Sequence, residues 1–126
     1  MISLHFNRDS VCAGDDCASH RQTFEIDEKT SINDFINFLE STPDPQHLGI
    51  IAKISGGEAT WILQIKNENG AHNTAVFAQQ WETCKNLVSA ATIGEVVETY
   101  NSNEFYAKYL AQKSPDEVYE DLIRQG

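Results

Sequence analysis

"ATWILQIKNENGAHNTAVFAQQW", residues 59–81, decides how this chain folds. Residues 59–66 have the β-branched and aromatic character of a buried strand. Asn69-Gly70 then gives a strong hairpin-turn signal, and "TAVFAQQW", residues 74–81, supplies a returning strand. A hairpin this apolar needs a cover and further strands. "LGIIAKI", residues 48–54, reads as another buried strand, joined to residue 59 through "SGGE", where glycine permits the positive φ of a turn.

Upstream, "ISLHF" (residues 2–6) and "QTFEID" (residues 22–27) alternate apolar and polar side chains, as half-buried strands do, and read as a first hairpin. "TSINDFINFLEST" comes next. Ser31 stands as N-cap and Asp34 near the positive helix end, while Ile32, Phe35, Ile36 and Leu39 recur at helical spacing. "TPDPQH" stops that helix, because proline lacks an amide donor and disfavours helix in the residue before it. Downstream, Thr92 with Glu95, Asn101 with Glu104, and Ser114 with Glu117 each match a capping box. Pro115 fits the first turn of the third helix. The sequence therefore predicts one α+β domain, residues 1–126, in the order β-β-α-β-β-β with C-terminal helices packed on the sheet. Its opening hairpin and helix resemble the β-grasp arrangement of ubiquitin-like folds.

The chain has 126 residues, 40% of them hydrophobic and 10% aromatic, which suffices for one core. No run reaches the ~18 apolar residues of a membrane span, and no basic-then-apolar segment marks a secretory signal. Three cysteines, Cys12, Cys17 and Cys84, cannot all pair within one chain. That favours a reducing compartment, and a cytoplasmic location is expected.

Charge is the sharpest bulk property. Nineteen acids against nine bases give −10, and the excess sits at the two ends of the chain around a neutral middle, residues 45–94. Such a protein repels phosphate backbones and anionic lipid and attracts basic surfaces. The expected partner is a basic protein, with no direct nucleic acid and no membrane.

"DSVCAGDDCASH", residues 9–20, is long for a hairpin loop and rich in ligand types. Cys12, Cys17 and His20 could hold zinc with a fourth ligand from His5, Asp9, Cys84 or His72. A redox pair is disfavoured, since four residues separate the cysteines and Asp15 and Asp16 oppose thiolate formation. Gly14, Asp15 and Asp16 lack the alternating acids of a calcium loop. The simplest account is an exposed acidic loop. "ISGGE", residues 54–58, lacks the lysine and spacing of a phosphate loop and reads as a turn. No histidine among His5, His20, His47 and His72 sits in a recognisable catalytic context, so neither an enzyme nor a cofactor is expected. Trp61 and Trp81 flank the second hairpin, and parity alone leaves open whether they face the core or a partner.

"NRDSVCAGDD" (residues 7–16) and "ISGGEATWIL" (residues 54–63) are similar to stretches in small bacterial proteins. With its size and acidity, the chain resembles the small acidic immunity proteins of bacterial toxin systems, including contact-dependent growth inhibition. The resemblance spans the first 80 residues or so and excludes the tail helices. It implies a protein that binds and neutralises a cognate basic toxin, often a nuclease. These proteins share no common motif, so no residue role transfers. On charge, Asp9, Asp15, Asp16, Glu25, Asp27 and Glu28 are the first expected partner contacts, and Asp116, Glu117, Glu120 and Asp121 the second. The alternative is a small zinc-binding domain built on Cys12, Cys17 and His20.

Overall fold

A computed structural model of the protein describes residues 1–9, 22–41, 59–111 and 113–125. In chain order they form β1 (Ile2–Arg8), β2 (Gln22–Ile26), α1 (Ile32–Ser41), β3 (Thr60–Asn67), β4 (Gly70–Ala78), β5 (Lys85–Asn86), α2 (Ile93–Tyr100), β6 (Glu104–Tyr109) and α3 (Pro115–Gln125). The strands make one mixed six-stranded sheet in the order β2-β1-β6-β3-β4-β5. The α+β class holds. The strand expected at residues 48–54, the proline stop and the loop holding Cys12, Cys17 and His20 lie outside the described residues.

The central hairpin forms as the sequence reads, with one shift. Asn67 pairs with Gly70, so Glu68 and Asn69 are the turn residues. Gly70 takes the left-handed φ of 118° needed to re-enter the ladder, a conformation that costs a side-chain-bearing residue far more. The Asn67 carboxamide oxygen accepts from the Asn69 amide at 2.9 Å and stabilises the bend. A register shift at Leu63/Gln64 places an extra residue in β4. Buried Thr74 satisfies its hydroxyl there by donating to the Leu63 carbonyl at 2.7 Å. β4 ends at Ala78, short of the expected residue 81. The Trp81 amide turns back to the Ala78 carbonyl at 3.0 Å.

Alternation along the strands sorts side chains onto two faces. Leu4 and Phe6, Trp61, Leu63 and Ile65, Ala75 and Phe77, and Phe105 and Ala107 point to one face, where they form the core with Ile32, Phe35, Ile36 and Leu39 of α1 and Ile93 and Val96 of α2. Ring contacts join Phe35 to Phe105 at 5.3 Å and Trp61 to Tyr109 at 4.8 Å. Trp61 is thus a core residue. Trp81 is half-buried beyond β4, with Lys85 Nζ 4.9 Å from its ring centre.

The C-terminal third departs from expectation in two respects. Residues 101–110, expected as a helix capped by Asn101 and Glu104, are instead the end of α2 and then strand β6. Asn101 is left-handed (φ 51°) and closes α2. Its amide reaches the Glu98 carbonyl at 3.4 Å, and the Ser102 amide reaches that of Val97 at 3.2 Å, the paired bonds of a Schellman ending. Beyond it, "EFYAKY" alternates, burying Phe105 and Ala107 while Glu104 and Lys108 stay exposed. The same aromatic residues fit a helical stripe equally well in isolation. The decision comes from the vacant ladder between β1 and β3: β6 runs parallel to β1 and antiparallel to β3, satisfying backbone groups on both sides. The expected order, with the C-terminal helices all following the last strand, is therefore replaced by helix, strand, helix at the C-terminal end.

Nor do the last two helices share a side. α2 joins α1 on the core face, whereas α3 packs beside Ile62 and Leu110 on the opposite face of the sheet. Thr92 caps α2 by accepting from the Glu95 amide at 3.2 Å, and Ser114 caps α3 through the Glu117 amide at 3.5 Å. Both starts match the sequence expectation. The apolar stripe of α3 is only half-buried at Val118, Tyr119 and Leu122, and Ile123 is 52% exposed.

Candidate protein-binding surface

Antiparallel pairing brings the end of β2 to the start of β1 (Ile2 opposite Ile26), and β3 ends where β6 begins (Lys66 opposite Glu104). One end of the sheet thereby collects the β2–α1 turn, the β3–β4 turn and the start of β6. α2 runs across this end. At its start the Gly94 amide donates to the Glu28 carbonyl at 2.9 Å, and at its close the Asn67 side-chain amide donates to the Tyr100 carbonyl at 3.0 Å. The His72 ring stacks on Tyr100 at 4.8 Å and holds the second junction.

The consequence is electrostatic. Asp27 and Glu28, in the turn after the first hairpin, stand beside the start of α2, which carries Glu95 and Glu98. Glu25, Glu68 and Glu104 lie on the same end of the sheet, Glu25 and Glu104 alternating with core residues and so pointing to its other face; all are exposed. Lys29 and Lys66 are the bases nearest in the chain, and Lys66 Nζ is engaged over the Tyr106 ring at 3.8 Å. Asp27 also shapes its turn by accepting from the Lys29 amide at 2.9 Å. Glu95 accepts from the Ala91 amide at 2.9 Å through one oxygen. Two concavities open here. One is bounded by Ser89, Ala90, Glu95, Glu98 and Thr99, the other by Lys66, Asn67, Asn69, Tyr100 and Glu104 among others.

Of the expected contacts, Glu25, Asp27 and Glu28 stand together on this end. Asp9 stands apart, at the far end of β1, separated by seven residues of strand or about 20 Å at ~3.3 Å per residue. Its carboxylate is already accepting from the Tyr106 hydroxyl and, at 2.9 Å, from the Tyr109 amide. It replaces the carbonyl that β1 would have offered had it continued beside β6. Burial, and then the hydrogen bond and charge of Asp9, push the Tyr106 phenol up to about 12. Asp116, Glu117, Glu120 and Asp121 lie exposed on α3, a separate group. There Lys85 sits 3.5 Å from Asp116, and Arg124 lies 3.8 Å from both Glu120 and Asp121. Exposed pairs of this kind stabilise by ~0–1 kcal/mol and leave the group net negative. Asp15 and Asp16 lie outside the described residues.

Sequence reasoning passed over Glu68, Glu95, Glu98 and Glu104. Glu68 at a hairpin tip and Glu95 and Glu98 on the polar side of "IGEVVETY" are legible as solvent-facing. That the start of α2, with Glu95 next to Gly94, lies against Glu28 is not, because it depends on how α2 docks.

The residues considered as a fourth zinc ligand have other occupations. His5 Nδ1 lies 2.9 Å from Thr23 Oγ1, His72 Nε2 lies 2.9 Å from Asn67 Oδ1, and Asp9 is held by Tyr106 and Tyr109. Cys84 Sγ donates to Asn86 Oδ1 at 3.4 Å, and burial, only partly offset by a backbone hydrogen bond, pushes its thiol up to about 11. A thiol so protonated is a poor nucleophile and metal ligand at neutral pH. Among the described residues, no three potential ligands converge, and no helix is long and apolar enough to cross a membrane.

Comparison of the chain with protein-family models, with curated proteins and with solved structures finds no match.

Proposed function

We propose that this chain is an immunity protein that binds a cognate basic bacterial toxin, a nuclease, in the cytoplasm and neutralises it by covering its active site with an acidic surface. The reading is supported above all by the acidic end. Carboxylates separated by up to 79 positions, from Glu25 to Glu104, are collected on one end of the sheet. A nuclease cleft is lined with cations that hold phosphate, and a rigid carboxylate surface competes for the same cations. Glu25, Asp27, Glu28, Glu95 and Glu98 are the main contacts in this reading, with Asp15 and Asp16 of the opening loop and the four α3 acids as a second group. The role is non-catalytic and requires no cofactor.

Sequencing the neighbouring genes and co-expressing the chain with any basic protein they encode tests the proposal. A complex that survives purification at low salt, together with protection of cells from that protein's toxicity, is the expected result. Charge reversal at Glu28→Lys and Glu98→Lys should abolish protection while leaving the fold intact by circular dichroism. Asp15→Asn with Asp16→Asn should weaken association, since a desolvated charge pair broken from one side costs ~2–5 kcal/mol and a rim pair mainly slows encounter. Failure of the chain to bind or protect would remove the proposal.

A further inference from the structure

β2 is an edge of the sheet, with β1 on one side and no strand on the other among the described residues. The backbone groups it turns outward follow from its neighbour. The amides of His5 and Asp9 donate to the Asn103 and Ala107 carbonyls at 2.9 and 3.0 Å, so the odd-numbered residues of β1 bond toward β6 and the even-numbered ones toward β2. Leu4 therefore exchanges its backbone bonds with Phe24, and Ile2 with Ile26. The amides and carbonyls of Thr23 and Glu25, which alternate with these, face away from the sheet. Natural edges are guarded by shortness, lysine, proline or a bulge. β5, at the other edge, is two residues long. β2 has five residues, carries neither lysine nor proline, and keeps an unbroken register with β1.

Side chains along this edge differ by face. On the core side Phe24 and Ile26 are only half-buried, as is Phe38 of α1, whose ring lies 5.1 Å from that of Phe24. On the other face the Thr23 hydroxyl is turned to His5 Nδ1 at 2.9 Å, so what Thr23 offers at the edge is its backbone. The charges are mostly of one sign. Glu25 is on the strand itself, Asp27 and Glu28 follow it, and Asp34 stands one turn before Phe38 on the row of α1 turned to β2. All four are exposed, and none makes an ion pair among the described residues. Of the bases nearest in sequence, Arg21 lies outside the described residues and Lys29 is exposed. Two copies of a chain of net charge −10 would bring these carboxylates together, which opposes pairing of β2 with itself.

We infer that β2 is a strand-addition site for an extended basic segment of a protein partner, whose backbone bonds to Thr23 and Glu25, whose alternate cationic side chains meet Glu25, and whose intervening apolar side chains pack against Phe24 and Phe38. The inference rests on the proposed function, in that the partner is basic, and deepens it by naming how the partner is held. Backbone pairing supplies an anchor indifferent to sequence, while alternation and charge select the segment.

The probe is a ten-residue synthetic peptide alternating lysine and valine, added at low salt to the isotope-labelled full chain. The Thr23 and Glu25 amides, with no acceptor among the described residues, should exchange rapidly with solvent in the free chain. The peptide should slow both about tenfold and leave Phe24 and Ile26, already bonded to β1, nearly unchanged. Pairing that sets lysine beside Glu25 makes the lysine amides the donors toward β2. A peptide methylated at those amides should therefore not bind, one methylated at the valine amides should, and one with glutamate in place of lysine should not. Thr23→Pro removes an outward donor at a position an edge strand tolerates, and should weaken the peptide about tenfold, equivalent to ~1.4 kcal/mol. Glu25→Gln, which leaves the backbone intact, should weaken it about threefold. No binding, protection that appears elsewhere, binding of the lysine-methylated peptide, or equal binding of the glutamate peptide would each overturn the inference. So would sedimentation showing a dimer that Thr23→Pro dissociates, because the occupant would then be a second copy. If the peptide adds to β2 but the chain neutralises no toxin, the proposed function fails and the edge site stands. If the chain neutralises a toxin and Thr23→Pro protects equally well, the edge site fails alone.

Discussion

Tyr106 keeps its proton because its ring is partly withdrawn from water and its hydroxyl donates to the carboxylate of Asp9. An unfolded tyrosine ionises near 10, and the folded one is pushed up to about 12. The native state therefore binds this proton more tightly than the unfolded chain. Its contribution to stability is fully present below pH 10 and is lost as pH rises through about 12. Tyr106→Phe should flatten the alkaline fall in stability over that interval. Asp9→Asn should move the Tyr106 absorbance titration part of the way back toward 10, since burial remains. An unmoved midpoint would show that Asp9 does not hold the phenol. None of this was legible in "NRDS": the sequence shows an acid after a strand, but its two internal donors lie on β6, about a hundred residues away.

At the scale of elements, α2 is positioned by what it lacks. A Cβ on Gly94 would stand 2.8 Å from the Glu28 carbonyl oxygen and 2.9 Å from Glu28 Cβ, contacts that no soft side chain can relieve. Alanine favours helix by ~1 kcal/mol over glycine. Overpacking against backbone costs ~1–3 kcal/mol, and the Gly94–Glu28 hydrogen bond would stretch as well. Gly94→Ala should therefore lower the melting temperature, and a stabilised variant would contradict this close approach of α2 to the acidic turn. Helix starts were readable from the sequence because a cap is local: Ser31, Thr92 and Ser114 each bond an amide three residues on. Asn101–Glu104 has the same spacing yet marks an ending. A left-handed asparagine and an N-cap asparagine look alike in sequence, and only the open ladder between β1 and β3 distinguishes them.

For the whole molecule, gathering like charges on one end carries a cost in self-repulsion. Neutralising Glu28→Gln with Glu98→Gln should stabilise the isolated chain by a few tenths of a kcal/mol at low salt, a gain that fades as added salt shortens the screening length from ~30 Å at 0.01 M to ~3 Å at 1 M. The same variant should associate more slowly with a basic partner. Thermal melts across a salt series check the first part, and stopped-flow association the second. A variant less stable at every salt concentration would mean that these carboxylates support the fold instead of straining it. The opposite signs of the two effects separate a surface kept for binding from one kept for packing.

Local and periodic information settled the central hairpin, the first hairpin, α1 and the starts of α2 and α3, because turn chemistry, alternation and capping act over a few residues. It also fixed the net charge and the acidity of the chain's two ends. Tertiary structure alone decided that residues 104–109 complete the sheet, that α3 lies on the face opposite α1 and α2, and that Glu25 and Glu28 share an end with Glu95 and Glu98 while Asp9 turns inward. Those outcomes depend on which backbone groups remain unpaired and which apolar surfaces remain uncovered once distant segments have met, and neither quantity is defined for a segment taken alone.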